Sequence, residues 1–421
     1  MDHVLFLRYV PCMLALLLPV PYLCGATEFY VRSTEPMNTS CSGQPCLTFS
    51  QYVRDSDHYF KSHTVFRFQS GTHQVNASVI IRYVHNISMM AIERSKETKV
   101  IVYLAFNQPS ASSTPECRGF VFWNTTYVTI DGLTIVVHSQ NKVPLFGMTF
   151  MNITHLCIKH STMITGNKFW SYSINVIGGG HINMTSLTVT HGGIKLIDTE
   201  YVTITKMTAV SCHCGICMLS TNNTAVTDVE VRSAYYGMYL NFTIHTRIRS
   251  TTLEDISIYA ENITITDISH TDIRFWKHAA LQIHKSTYLN ITTVSTLFSD
   301  YGILVYNAHY ITLKNISLQN PGRRGIYFTE SKFIDIRNTH ILGQEVFTRN
   351  GKRYMFDTMG VIIFRTTNLH LFNLEVIHCS FGIFLYKSNA VTVNNMTPYN
   401  WTGHSIYMLQ VTNTTMQNIV M

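Results

Sequence analysis

The chain has 421 residues, enough for two or three ordinary domains, and only 13% of them are Asp, Glu, Lys or Arg, about half the usual share. Its formal net charge of +7 comes from 31 basic and 24 acidic side chains spread thinly along the chain. Without a long basic run, this balance argues against a nucleic-acid partner.

Residues 1–26 read as a secretory signal peptide: Arg8 precedes an apolar stretch broken by Pro11, Pro19 and Pro21, and small Ala26 marks the cleavage point. The competing reading, a retained anchor, lacks the uninterrupted run of roughly 18 apolar residues that a spanning helix needs, and no second span follows. A secreted, extracellular chain keeps eight cysteines once Cys12 and Cys24 leave with the leader. Cys41 and Cys46 flank the loop CSGQPC and are expected to form a local disulfide. The pairing of Cys117, Cys157, Cys212, Cys214, Cys217 and Cys379 is open.

Residues 27–75 are expected to form a cap over the raw strand edges that follow. Thr48 with Gln51 makes a capping box and Leu47 with Tyr52 fits a hydrophobic staple, so one short helix is expected within 47–61. It would lay Tyr52, Val53, Tyr59 and Phe60 on the first repeat, flanked by the strands EFYV and TVFRFQSGTH.

From residue 76 to residue 421 one phrase recurs with a period of about 22 residues. It opens at Gly193, Gly215, Gly237, Ala280, Gly302, Gly325, Gly360 and Gly382, and less cleanly at Ser78, Gly119, Gly147, Ser173, Asp255 and Ser405. Apolar residues stand one and three positions after the openings, as Ile303 and Val305 do, and after most of them again at nine and eleven, as Ile311 and Leu313 do. A spacing of two is the strand period, and no stretch keeps a period of 3.6 long enough for a helix. Each repeat is therefore two or three short strands, and parallel stacking buries the columns as one interior. Asn315, Asn338, Asn373, Asn395 and Asn418, each thirteen positions after an opening, are expected to bond to one another as a buried ladder.

This combination resembles the right-handed parallel β-helix of the pectate-lyase type, with its asparagine ladder. The resemblance implies an all-β solenoid of about 12–14 rungs over residues 76–421. From Phe29-Tyr30-Val31 through the paired cysteines to the helix, the opening is also similar to that of secreted animal proteins with β-helix repeats. An insertion at about 343–358 holds Asn350-Gly351 between strand-like arms and predicts a hairpin. The last copy begins near Ser405 and stops at MQNIVM in mid-strand, so a further segment or a partner is expected at that edge.

The polygalacturonase branch of this fold carries Asn-Thr-Asp, paired Asp, Gly-His-Gly and Arg-Ile-Lys motifs. The nearest strings here, GGGH at 178–181 and GIK at 193–195, supply no carboxylate. Calcium-dependent lyases need carboxylates recurring in one column, and Asp228, Asp267 and Asp335 do not recur so. Glycoside hydrolysis needs two facing carboxylates, and no such pair stands out. The sequence thus leaves catalytic residues unknown, and no cofactor or metal site is expected. The cluster SCHCGIC at 211–217 is open to three readings: a disulfide with one thiol left over, a soft-metal site involving His213, or plain buried thiols.

Two and four positions after the openings, where side chains should face solvent, the C-terminal repeats carry Tyr306, Tyr327, Phe364, Phe384, Tyr386 and Tyr407. Exposed rings of this kind suit a partner or the faces of sugars; alternatively, the hairpin insertion covers them. Sequons at Asn38, Asn76, Asn86, Asn124 and Asn222 are candidate glycan carriers, whereas Asn315 and Asn395, as ladder positions, are expected to stay unmodified. The expectation is a secreted, glycosylated, non-enzymatic scaffold that binds extracellular glycan or protein. Its rivals are a polysaccharide lyase or hydrolase with an unrecognised site, and a structural module of a longer surface protein.

Overall fold

The computed structural model describes residues 26–34, 46–92, 100–106, 117–139, 145–166, 171–254, 256–274, 278–343, 347–349, 352–354, 358–399 and 403–420. The leader, Asn38 and Cys41 lie outside them. Among the described residues no helix is long and apolar enough to cross a membrane.

The strands stack in parallel into a solenoid of about 13 turns, a right-handed β-helix. Ile303 lies beside Leu281 on one neighbouring rung and Ile326 on the other, and Ile311 beside Leu289 and Ile334, so each column of like residues runs along the axis. Ile311 and Leu313 are fully buried while Thr312 between them is partly exposed, which fixes the inward register. A third wall completes each turn, with inward pairs such as Ile316 and Leu318 fourteen and sixteen positions after the opening. One expected opening shifts: Ile258 pairs with Met238 and Leu281, which puts the opening at Ser257 instead of Asp255, itself outside the described residues. That turn is two residues short of the period, and without a glycine nothing in the sequence marked it.

The walls meet at corners where non-glycine residues adopt the left-handed conformation, five, eight, thirteen and eighteen positions after the opening. In one turn these are Asn307, Tyr310, Asn315 and Asn320, with φ of 49°, 57°, 55° and 52°. Left-handed backbone disfavours a Cβ by roughly 1–2 kcal/mol per residue, and asparagine tolerates it best. The asparagine column therefore sits on the outside of a corner. Asn338 Nδ2 donates to Asn315 Oδ1 at 3.1 Å and Asn373 Nδ2 donates to Asn338 Oδ1 at 3.0 Å, so the ladder forms, but its members are exposed rather than buried. The Asn418 amide departs from the column and donates to Asn394. Buried hydroxyls stand instead six positions after the opening, where serine, unlike Thr199, Thr221 and Thr243, bonds to the neighbouring rung. Ser331 and Ser388 are wholly shielded, and their Oγ atoms receive the backbone N–H groups of Ala308 and Thr366 from the preceding rungs. At that tight corner a small hydroxyl both fits and satisfies a backbone donor.

At the N-terminal end the capping box forms, with the Thr48 backbone N–H donating to Gln51 Oε1 at 2.8 Å, and starts helix α1 (Phe49–Arg54), followed by one turn, α2 (Ser56–Tyr59). Tyr52 and Phe60 are buried as expected; Phe49 goes deepest, its ring 5.0 Å from Phe68 and 5.9 Å from Phe120. The strands Thr27–Arg32 and Thr64–Phe68 pair in parallel with each other, and the second pairs with His85–Ala91, so the sheet is continuous into the rungs. The insertion does form a hairpin, with Phe347–Arg349 antiparallel to Lys352–Tyr354.

Candidate functional site

The first wall of each rung starts at the opening residue, where neighbouring backbones come close. A Cβ on Gly360 would lie 2.6 Å from the Gly382 carbonyl oxygen, which is why glycine recurs there. The close approach also skips one residue in the pairing: Cys214 pairs with Tyr236 and Ile216 with Met238, leaving Gly215 out. Side chains one before and two after the opening consequently lie next to each other on the outward surface. Tyr236 and Tyr239, Phe381 and Phe384, and His404 and Tyr407 touch in this way, at ring distances of 5.5, 6.0 and 5.6 Å.

On the C-terminal rungs this surface is a continuous aromatic belt, longer than sequence reading indicated. It runs from Tyr239 to Tyr259 at 5.2 Å, to His284 at 5.5 Å, to Tyr306 at 4.9 Å, and on through Tyr327, Phe364, Phe384 and Tyr407. Eight rungs at about 4.8 Å make it roughly 34 Å long. All six candidate residues belong to it, five half-buried against each other and Tyr407 36% exposed. Ring orientation divides the belt. Tyr239 and Tyr259 stack within 2°, and Phe384 and Tyr407 within 16°, so their faces are turned to each other. Between them the angles open to 57° for Tyr306–Tyr327, 47° for Tyr327–Phe364 and 65° for Phe364–Tyr386.

Polar and charged groups border the rings. The Arg324 guanidinium lies 4.5 Å above Tyr327 and 5.4 Å above Tyr301, and the Lys387 ammonium lies 5.1 Å above Tyr386. The Tyr259 hydroxyl donates to Glu261 Oε2 at 3.2 Å; burial and then the Glu261 charge push that phenol up to about 12. Burial lowers the His284 imidazole, and its Nε2 lies 2.7 Å from Gln282 Nε2.

Sequence reading missed a second aromatic column, eight positions after the opening on the left-handed corner. Tyr127, His155, His181 and Tyr201 stack at 4.3, 4.8 and 5.0 Å, and Tyr288, Tyr310 and Phe333 at 4.8 and 4.6 Å. The recurrence of Tyr, His and Phe at one spacing was the signal. Along the N-terminal stack runs a 600 Å³ groove lined by His63, His85, Tyr127, His155, His181 and Asn183, among others. Next to it, a 680 Å³ depression gathers Asp198, Glu200, His155 and His181 around Gly179 and Gly180. Gly179, with φ of 115°, has no room for a Cβ, which would fall 1.8 Å from the Ile153 carbonyl oxygen. The GGGH string thus shapes a hollow into which two carboxylates face, a pair invisible as a motif. Among the described residues no cluster of His, Cys, Asp and Glu could hold a metal ion.

Of the SCHCGIC cluster, Cys212 points into the interior, whereas Cys214 and Cys217 lie on the outward surface with Phe146 and Tyr172; all three are free thiols, as are Cys157 and Cys379.

Residues 271–420 match the family described as the right handed beta helix region. No curated protein matches the chain. Among solved structures, the bacteriophage phi29 gene product 12 N-terminal fragment is similar at a TM-score of 0.53 and 9% identity, covering 85% of this chain and 69% of that one. A DFA-IIIase mutant from Arthrobacter chlorophenolicus A6 follows at 0.50 and 10%, covering 82% and 94%. The mannuronan C-5 epimerase AlgE6 A-module of Azotobacter vinelandii reaches 0.40 and 10%, covering 88% and 93%. At such identities the likeness extends to the fold: the chain is a right-handed parallel β-helix of the pectate-lyase-like kind.

Proposed function

We propose that the protein is a secreted, glycosylated β-helix that binds an extracellular glycan along the aromatic belt without cleaving it. The observation that carries this reading is the splayed middle of the belt, Tyr306 to Tyr386, where half-exposed rings are tilted by 47–65° to one another instead of stacking face to face. Flat faces stack on sugar rings, and Arg324 and Lys387 add two cations suited to an acidic sugar. Secretion would place Cys46, absent from the free thiols, in its bridge to Cys41. It would also open exposed Asn76 and the half-exposed Asn86, Asn124 and Asn222 to glycans, together with Asn315 and Asn395, whose exposure removes the reason to exempt them.

The test is binding of neutral and uronic-acid oligosaccharides to the purified protein. Phe364→Ala and Tyr386→Ala are each expected to weaken binding roughly 2- to 12-fold, the equivalent of about 0.5–1.5 kcal/mol per ring contact. Absence of binding to every glycan, or binding untouched by both substitutions, overturns the reading. A second reading, a glycan-degrading enzyme, is favoured by the hollow holding Asp198 and Glu200. It requires product formation from a polysaccharide that Asp198→Asn and Glu200→Gln abolish.

A further inference from the structure

The belt has an N-terminal neighbour of different chemistry. One rung before Tyr236 and Tyr239, the same pair of adjacent outward positions is occupied by Cys214 and Cys217, in the string C-G-I-C. In an unbroken strand, residues three apart face opposite sides, but the residue skipped at Gly215 returns both thiols to one surface. They leave the solenoid interior and join Phe146 and Tyr172, with Tyr236 and Tyr239 packed alongside. A 230 Å³ cavity opens over them, lined by Tyr172, His213, Cys214, Cys217, Tyr236 and Tyr239.

The geometry points to Cys214 and Cys217 as a redox-active dithiol that exchanges with disulfides of small thiols reaching it through this cavity.

The two sulfurs have unequal surroundings. A hydrogen bond from the Cys214 thiol, the nearby Lys195 ammonium and a hydrogen bond with Tyr172 together hold the Cys217 thiol below its ordinary range against the opposing effect of burial. Burial, with the Cys217 sulfur close by, pushes Cys214 well above that range. Lys195 is held in place 5.3 Å above the Tyr172 ring. Cys217 is therefore the attacking sulfur and Cys214 the resolving one. The Cys217 thiolate attacks a disulfide R–S–S–R, forming Cys217–S–S–R and expelling RS⁻, which takes up a proton. Cys214, giving its proton to solvent, then attacks the Cys217 sulfur, forms the Cys214–Cys217 bond and releases a second RS⁻ for protonation. The disulfide gains two electrons and two protons, and the dithiol loses both. Cys212 and Cys379, packed in the interior with thiols pushed up to about 12 by burial, are as shielded as the pair but line no part of this cavity, and serve as internal references.

The full chain is equilibrated in mixtures of reduced and oxidised glutathione, quenched with acid, alkylated, and analysed by peptide mass spectrometry. The 214–217 peptide is expected to lose two hydrogens cooperatively within the range of these mixtures. In the reduced protein, Cys217 should alkylate at least tenfold faster than Cys379 at neutral pH, a measurement that needs no variant. Cys214→Ser should trap a glutathione adduct on Cys217, whereas Cys217→Ser should leave Cys214 unmodified. A pair that stays reduced in every mixture overturns the inference. So does one that resists reduction in all of them, which would be a structural bridge, and so does Cys217 reacting no faster than Cys379. Glycan binding plays no part in these readouts, so the two proposals stand or fall separately.

Discussion

On the first wall, the rungs from Gly119 to Gly215 and those from Gly237 to Ser405 share an interior and differ on the outside. Inward, Phe150 and Phe328 occupy equivalent places and neither is exposed at all. Outward, the earlier rungs carry Val121, Thr149, Asn175, Lys195 and Cys217, all buried but Lys195, while the later rungs carry Tyr239, Tyr259, Tyr327 and Phe384, half-exposed, with Leu304 and Ile362 buried among them. The difference is possible because rung stacking constrains only the inward columns and the corner residues. The outward columns are free to vary and hold the specific chemistry, which on such a scaffold is where function must be sought.

The largest expected effect tests the shared interior. Phe150→Ala and Phe328→Ala should each lower stability by about 3–5 kcal/mol in denaturant titration, because both empty a fully packed position. A cost below about 1 kcal/mol for either would show that the two stretches do not share one continuous core.

Next comes the outward difference itself. Phe364 touches Tyr327, Phe384 and Tyr386, so Phe364→Ala should cost about 2 kcal/mol, whereas Met151→Ala, in the same column of the earlier rungs, should cost under about 1 kcal/mol. Equal costs would remove the energetic distinction between the two outsides. Because the rings support one another, any loss of glycan binding on truncation must be read beside the melting curve of the same variant.

The inward columns were legible because alternating apolar pairs that return about every 22 residues fit stacked strands and leave no continuous face for a helix. The capping box at Thr48 and the hairpin that pairs Phe347–Arg349 with Lys352–Tyr354 were legible because each depends on local chemistry alone. What was illegible depends on the corners. Strict alternation would set Cys214 and Cys217 on opposite faces, and the skipped Gly215 unites them. The asparagine column was read as buried from its regularity, yet positive φ turns it outward. Asp198 and Glu200 come together with His155 and His181 through the hollow at Gly179, which no spacing rule encodes. The tilt of the belt rings arises from packing between rungs, so composition could announce the rings but not the angles between them.

A smaller effect tests the exposed ladder of the later rungs. Asn338→Ala removes its bonds to Asn315 and Asn373 and places a less tolerant residue at φ of 50°. For exposed amides the expected cost is about 1 kcal/mol, and Asn338→Gly, which relieves the backbone, should cost less. A larger loss with glycine than with alanine would show that the backbone conformation is not the limiting feature.

The smallest expected effect is a pH dependence confined to the belt. Burial holds the His284 imidazole below its ordinary value of 6.5, and neighbouring Lys285 acts in the same direction while Glu261 opposes both. The other groups around it are the Tyr259 and Tyr306 rings and Gln282, all uncharged at neutral pH. A folded-state value below the unfolded one means that the unfolded chain takes up the proton first. The contribution to stability is therefore fully present above pH 6.5 and is lost as the pH falls from 6.5 toward the folded-state value, below which it levels off. Because the ring is half-exposed, solvent screens the effect, and the expected change in melting temperature is roughly 1 °C or less. The chain has 20 histidines, so the measurement is a difference: melting temperature at pH 7.5 minus that at pH 5.5, for the wild type and for His284→Phe, which keeps a ring in the stack. The wild type should show the larger drop. Identical drops would mean that His284 titrates as freely in the fold as in the unfolded chain, and that this part of the belt is more open to water than its ring contacts indicate.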